Sequence, residues 1–182
     1  MQSIHFLLWL ALVVATAAAV FDYRTGHIPN WLTLGALGAA TLLQVGTGAA
    51  HAGLHGAGAG ALTAMLGFAA CSLVPDVLYR LAGMGGGDVK LLAALGALCG
   101  PSIGLQAQFY SFIALLLYAP LRMAYEGKLL RTLGNSLTLA LNPILPKTKR
   151  KTIPAELLTS LRFGPAVAAG VLATILAHWS VA

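Results

Sequence analysis

The chain alternates between long apolar runs and short polar connections. A helix that crosses a bilayer needs about 20 residues at about 1.5 Å of rise each. By this measure the pattern predicts six membrane-spanning helices. Their expected bounds are residues 4–21, 31–45, 56–79, 88–99, 103–121 and 163–181. The fourth is short, so we expect it either to continue through Gly100-Pro101 or to begin below the membrane surface at its glycine-rich entrance.

Composition agrees with a membrane environment. Of the 182 residues, 58% are hydrophobic and only 9% are charged, and the mean hydropathy is +0.83. A soluble globule needs more charge than this to cover its surface. We therefore expect an all-α, polytopic integral membrane protein.

Basic residues mark alternate connections between the predicted spans. Arg24 lies in the first connection, Arg80 and Lys90 flank the third, and the other eight lie within residues 122–162. The positive-inside rule places these three connections in the cytoplasm and both termini outside. The net charge of +6 then indicates an affinity for anionic lipid head groups rather than for nucleic acid.

Two alternatives to this reading of the chain are weak. An apolar core ending in Ala17-Ala18-Ala19 suggests a cleaved signal peptide, but residues 1–10 contain no Lys or Arg, and a signal peptide has a basic beginning. Cys71 and Cys99 are isolated in apolar segments, so neither a zinc site nor a disulfide framework is expected.

We interpret residues 1–182 as a single membrane-embedded domain with a cytoplasmic or interfacial insertion at about 122–162. Apolar residues recur at helical spacing within this insertion, which predicts an amphipathic helix on the inner membrane surface. That helix would be a surface anchor or would grip a substrate. The residues concerned are Leu129, Leu130, Leu133, Leu137 and Leu141.

Asp22 and Asp88 are the candidate reactive groups, since both lie where an apolar run meets a polar connection on the predicted cytoplasmic face. Acidic residues are costly near a bilayer and usually serve chemistry or transport there. Each also has a structural explanation: Asp88 could cap a helix, and Asp22 could be a turn residue. Three consecutive glycines before Asp88 favour function, because they permit positive φ and close approach of another chain.

The segment Gly85-x-Gly87-Asp88-x-Lys90-Leu91 resembles the G-x-G-D signature of the type IV prepilin peptidases. Asp22 followed by Ile28-Pro29-Asn30 resembles the first aspartate motif of that family, and Phe163-Gly164-Pro165 resembles a third patch. The two aspartate motifs occur in the family's order, and the likeness extends from the first predicted helix to the sixth.

The resemblance implies a G-x-G-D-type intramembrane aspartyl protease fold and an enzyme of the prokaryotic cytoplasmic membrane. Such an enzyme removes the leader from prepilins of type IV or tight-adherence pili, which are assembled by secretion machinery. Asp22 and Asp88 would be catalytic, Gly85, Gly87 and Lys90 would support the motif, and no cofactor is implied. The expected substrate has a short basic leader and an apolar helix in the bilayer.

Departures from the family pattern narrow this expectation. Longer members carry an amino-terminal cytoplasmic insertion with paired C-x-x-C motifs and a methyltransferase activity, but the first connection here is short and has no cysteine. The nearest match is therefore the short, protease-only form. Arg162 precedes Phe163 where the family often has proline.

Two adjacent carboxyls cannot both ionise easily, so one keeps a proton while the other polarises water. Asp88 lies at a helix N-terminus with Lys90 nearby, which favours its anion, whereas Asp22 lies at a helix C-terminus. We therefore hypothesise that Asp88 is the ionised base and Asp22 the protonated acid.

Other polar residues are weaker candidates. His51 and His55 could ligate a metal if helical, but the surrounding glycines favour an external loop, and no metal is expected. His27 could tune Asp22 or be a loop residue, and Asp76 is interpreted as an interface residue. Two other functions are considered: a transporter that uses Asp22 and Asp88 as a relay, and a scaffold in a pilus assembly machine.

Overall fold

The computed structural model describes residues 2–81, 84–125 and 162–179. Within these ranges the protein is helical, which confirms the all-α prediction. The helices in chain order are α1 (Gln2–Thr25), α2 (Asn30–Arg80), α3 (Gly86–Cys99), α4 (Pro101–Tyr125) and α5 (Gly164–Trp179).

Helix α2 is a hairpin of two helical arms, residues 30–51 and 54–80. It is broken at Ala52 (φ −143°, ψ 28°) and Gly53 (φ 57°, ψ −138°), where the positive φ suits glycine. The arms run antiparallel in close contact, because a Cβ added at Gly48 would overlap the carbonyl of Gly56 and one at Gly60 would overlap the carbonyl of Gln44.

The arms correspond to the second and third predicted helices, but the predicted connection at 46–55 is wrong. All of it except the break at residues 52 and 53 is helical. Within it, Gly48 is a contact point between the two arms, where a missing Cβ lets backbones approach closely.

Helix α3 is the central helix of this arrangement. Residues 91–98 are all buried, as expected of a helix that is apolar on every side. It packs most extensively against α2, where a Cβ at Gly96 would overlap the carbonyl of Gly67 and one at Gly100 would lie 3.1 Å from Thr63. Gly96 and Gly100 thus let α3 and α2 approach closely.

The chain does not continue as one helix through Gly100-Pro101. Gly100 has a φ of 78° and ends α3, and α4 begins at Pro101. With 14 residues, α3 is about 21 Å long, which is shorter than a hydrocarbon core of about 30 Å. The prediction that the helix continues through Gly100-Pro101 is therefore wrong, and its start below the membrane surface stays a prediction.

Helices α1 and α5 form the second extensive helix pair. Helix α1 buries Leu8, Ala11, Ala15 and Ala18 at helical spacing. Helix α5 buries Val167, Val171 and Thr174. Contacts between α1 and α3 are fewer, and these join the two helix pairs.

Three helices are long and apolar enough to cross a membrane: α1 over Phe6–Thr25, α2, and α4 over Pro101–Arg122. Helix α5 is apolar but shorter. Because α2 comprises two arms, the described residues form six helical segments in the predicted order. That all six span the membrane, and that the fold is of the G-x-G-D protease type, stay predictions.

Backbone contacts divide the chain into two compact units, one formed by Met1–Ala114 with Arg162–Ala182 and the other by Leu115–Leu161. The single-domain assignment stays a prediction. The predicted insertion at 122–162 and its amphipathic helix lie mostly outside the described residues, and so does residue 181 at the predicted end of the sixth helix. Asp22, Asp88 and the helix starts around them lie in the first unit.

Candidate active site

Asp22 lies in the last turn of α1 and is only 6% exposed. The helix ends just beyond it, where Gly26 adopts a φ of 69° and donates its N–H to the Asp22 carbonyl oxygen at 2.9 Å. This is a common glycine C-cap. Asp22 is thus a helical residue held inside the protein, and the turn-residue explanation is wrong.

The Asp22 carboxylate is held by the start of α5. The backbone N–H of Gly164 donates to its Oδ2 atom at 2.8 Å. A backbone N–H at a helix N-terminus lacks an intrahelical partner, so this bond satisfies a donor that would otherwise be buried without one. A hydrogen bond to the charged form of a carboxyl favours that form.

Residue 164 has no room for a side chain. A Cβ there would lie 2.9 Å from Cβ of Asp22, 3.0 Å from Cα of Ala19 and 3.0 Å from Oδ2 of Asp22. The preceding Phe163 is buried, and its ring centroid lies 5.6 Å from that of Phe112 on α4. The third patch of the resemblance is therefore the place where α5 meets the first aspartate.

Asp88 lies in the first turn of α3, but it is not the helix cap. Gly85 occupies the N-cap position with extended backbone (φ −78°, ψ 145°), and the Asp88 N–H donates to the Gly85 carbonyl oxygen at 3.1 Å. The explanation of Asp88 as an ordinary N-cap is therefore wrong. Its carboxyl instead forms a hydrogen bond with the Gly85 backbone.

Asp88 lies within electrostatic range of Asp22. Burial, and next the negative charge of Asp22, raise the pKa of the Asp88 carboxyl above its usual range, while the Gly85 backbone opposes the shift. Helix α3, which carries Asp88, is not among the candidate membrane spans. The fold thus brings together two carboxyls from sequence positions far apart, one of which is disposed to keep a proton.

The direction of the Asp88 pKa opposes the expected assignment of Asp88 as the ionised base, because burial and the neighbouring charge both disfavour its anion. A helix terminus contributes only about 0.3–1 kcal/mol at exposed sites, so desolvation can outweigh it. Which of the two carboxyls holds the proton stays a prediction.

Gly85 and Gly87 both allow close approach, although neither has positive φ. A Cβ at Gly85 would lie 3.0 Å from Oδ2 of Asp88, and one at Gly87 would lie 3.2 Å from Cβ of Ile28. Ile28 is 3% exposed and belongs to the first aspartate motif. Because these two glycines have no side chain, there is space for the Asp88 carboxyl and for the connection that follows Asp22.

Lys90 is bonded to the first aspartate motif. Its Nζ donates to Oδ1 of Asn30 at 2.8 Å. The bond joins the beginnings of α3 and α2. The supporting role of Lys90 in the motif stays a prediction.

The weaker candidates have structural settings. Asp76 forms an exposed ion pair with Arg80 at 2.8 Å, which does not test its interpretation as an interface residue. Thr25 Oγ1 donates to the His27 carbonyl oxygen at 2.9 Å, in agreement with a loop role for His27. His51 and His55 flank the break in α2, and no cluster of three or more possible metal ligands occurs among the described residues.

One contact near Asp22 was not predicted from the sequence. The Arg162 guanidinium carbon lies 5.4 Å from the centroid of the Tyr23 ring. Tyr23 directly follows Asp22, and Arg162 lies two residues before Gly164. The only signal of this contact in the sequence was Arg162 itself, which precedes the third patch where the family often has proline.

The helical fold, its apolar spans and the two coupled carboxyls define a membrane protein with a candidate acid–base site. The family model described as the type IV leader peptidase family matches residues 9–120. The chain belongs to this family, which confirms the resemblance and indicates a peptidase. No match to the chain was found among the curated proteins or the solved structures.

Proposed function

We propose that the protein is an aspartic endopeptidase that removes the leader peptide from type IV or tight-adherence prepilins at the cytoplasmic face of the membrane. Membership of the leader peptidase family supports the reaction and the class of substrate. The observation that carries the aspartic mechanism is the electrostatic coupling of Asp22 with Asp88. No cofactor enters the mechanism.

Asp22 is the base and Asp88 the acid in the proposed reaction. The Asp22 carboxylate takes a proton from water as the water oxygen attacks the scissile carbonyl carbon. Asp88 gives its proton to the carbonyl oxygen, which yields a tetrahedral diol. When the C–N bond breaks, Asp22 passes its proton to the leaving nitrogen and Asp88 regains one from the diol.

The proposed substrate matches this position of the carboxyls. A basic leader stays at the cytoplasmic surface, an apolar helix stays in the bilayer, and the scissile bond between them lies at the membrane face. This arrangement requires six membrane-spanning helices, with both termini outside the cytoplasm and the two carboxyls at the cytoplasmic face. The distribution of Lys and Arg favours this topology. Anionic lipids around the basic connections are further expected partners.

Co-expression with candidate prepilins tests the function. Leader removal is compared among wild type, Asp22→Asn and Asp88→Asn at equal membrane abundance. General acid–base groups typically contribute about 10²–10⁴-fold to a rate, so each variant should lose at least about 100-fold.

Asp76→Asn is the matched control. It removes the remaining aspartate of the described residues, whose carboxylate is exposed and paired with Arg80, and it should process normally. Retained processing by both Asp22→Asn and Asp88→Asn would reject the peptidase mechanism and favour a scaffold.

A further inference from the structure

The three residues that lead into α5 each have a different partner. Gly164 donates its N–H to Asp22, the Phe163 ring lies against Phe112, and Arg162 lies over Tyr23. Two of these contacts are made with consecutive residues of α1, at the helix end that carries the first carboxyl. The entry to α5 is therefore attached to the last turn of α1 at two points, the Asp22–Gly164 hydrogen bond and the Arg162–Tyr23 contact.

The Arg162 contact differs from the other two in its environment. Phe163 and Gly164 are buried, whereas Arg162 is partly exposed and Tyr23 is 63% exposed. A guanidinium within about 6 Å of an aromatic centroid is attracted by the ring electrons, and Arg makes such contacts more often than Lys. The ring contact restrains the Arg162 side chain two residues before the Gly164 donor.

We propose that Arg162 is a positioning residue of the peptidase: by holding the Tyr23 ring, it keeps the Gly164 N–H directed at the Asp22 carboxylate. This rests on the proposed aspartic mechanism. Arg162 need not touch the substrate or the reacting water. It acts through the hydrogen bond that favours the ionised form of the proposed base.

Several charged or titratable groups lie near Asp22 and bear on the test. On α1 and just after it are Tyr23, Arg24 and His27, Arg162 precedes α5, and α3 contributes Asp88 together with Lys90, which is bound to Asn30. Arg24 is exposed on the same turn as Tyr23. Arg24→Ala therefore removes the same charge without removing the Arg162–Tyr23 contact, and it serves as the control.

The experiment measures leader cleavage by purified full-length enzyme in vesicles of fixed lipid composition, across pH. An exposed cation–π contact corresponds to about two- to fivefold, so Arg162→Ala and Tyr23→Leu should each lower kcat by about that factor with little change in KM. The acidic limb of the rate–pH profile should move to higher pH, because a weakened Gly164 bond disfavours the charged carboxylate. Arg162→Lys and Tyr23→Phe keep a cation and a ring, and should restore most of the rate.

The double variant Arg162→Ala with Tyr23→Leu separates positioning from charge. If the two side chains act as one contact, the double variant loses no more than either single variant, and Arg24→Ala behaves as wild type. Additive losses, an unshifted acidic limb, or the same loss in Arg24→Ala would overturn the proposal. Failure of the aspartic mechanism is seen separately, as retained cleavage by Asp22→Asn and Asp88→Asn.

Discussion

Replacing Gly164 by alanine tests the structural basis of the site most directly. A Cβ there would lie 2.9 Å from Cβ of Asp22 and 3.0 Å from both Ala19 Cα and Asp22 Oδ2. Carbon atoms in ordinary contact are about 3.5–4.0 Å apart. The start of α5 must therefore move away from α1 by about 0.5–1 Å, and the Gly164 donor moves with it.

The expected loss follows from the hydrogen bond. Its length is 2.8 Å, and lengthening by about 0.5–1 Å takes it beyond the range of a good N–H···O bond. A hydrogen bond to a charged group contributes about 1.5–3 kcal/mol. At about 1.4 kcal/mol per factor of ten, Gly164→Ala should lower kcat by about 10- to 100-fold and move the acidic limb of the pH profile upward.

The assay is cleavage of a prepilin across pH, with thermal unfolding followed in parallel. Gly170→Ala is the control, since a Cβ on this later residue of α5 would overlap Ser111. Overpacking typically costs about 1–3 kcal/mol, so Gly170→Ala should lower stability while leaving the pH profile in place. A Gly164→Ala enzyme with the wild-type rate and profile would refute the idea that this close contact holds Asp22.

Three further predictions concern the second carboxyl and its supports. In Asp22→Asn, loss of the neighbouring charge should lower the pKa of Asp88. An infrared titration, with Asp88→Asn as the reference, should then show the protonated carboxyl disappearing at lower pH than in wild type. An unchanged titration would contradict the electrostatic effect of Asp22 on Asp88. In Gly85→Ala, the added Cβ would lie 3.0 Å from Oδ2 of Asp88 and crowd it. The variant should lower kcat about tenfold, which corresponds to about 1.4 kcal/mol. Cleavage at the wild-type rate would contradict this prediction. Lys90→Met and Asn30→Ala should each lower the free energy of unfolding by about 0.5–1.5 kcal/mol, and a double variant that loses the sum of both would show that the two do not act as a pair.

The apolar pattern predicted the order of the helices because lipid-facing and buried positions both need apolar residues. It misplaced the connection at 46–55, where glycines are equally suited to a loop or to helix contact. The chain continues as helix there until Ala52 and Gly53. Only packing against the other arm distinguishes the two uses.

The two residues of the candidate site could be predicted from the sequence, but their contacts in space could not. Asp22 and Asp88 are identifiable from motif and position, yet the partner of Asp22 is a backbone N–H 142 residues away. No local pattern encodes such a contact, or the turn of Lys90 toward Asn30. Burial raises the pKa of Asp88, and helix position alone does not reveal burial.

The two carboxyls come from different helix pairs. Asp22 belongs to the pair of α1 and α5, Asp88 to that of α2 and α3, and fewer contacts join the pairs than hold each one together. The separation of the two carboxyls therefore depends on the contacts between the two helix pairs, here called the seam. A small shift of one pair against the other would move the carboxyls apart without unfolding any helix. If the two carboxyls act together as proposed, activity depends on how the two helix pairs are aligned at this seam.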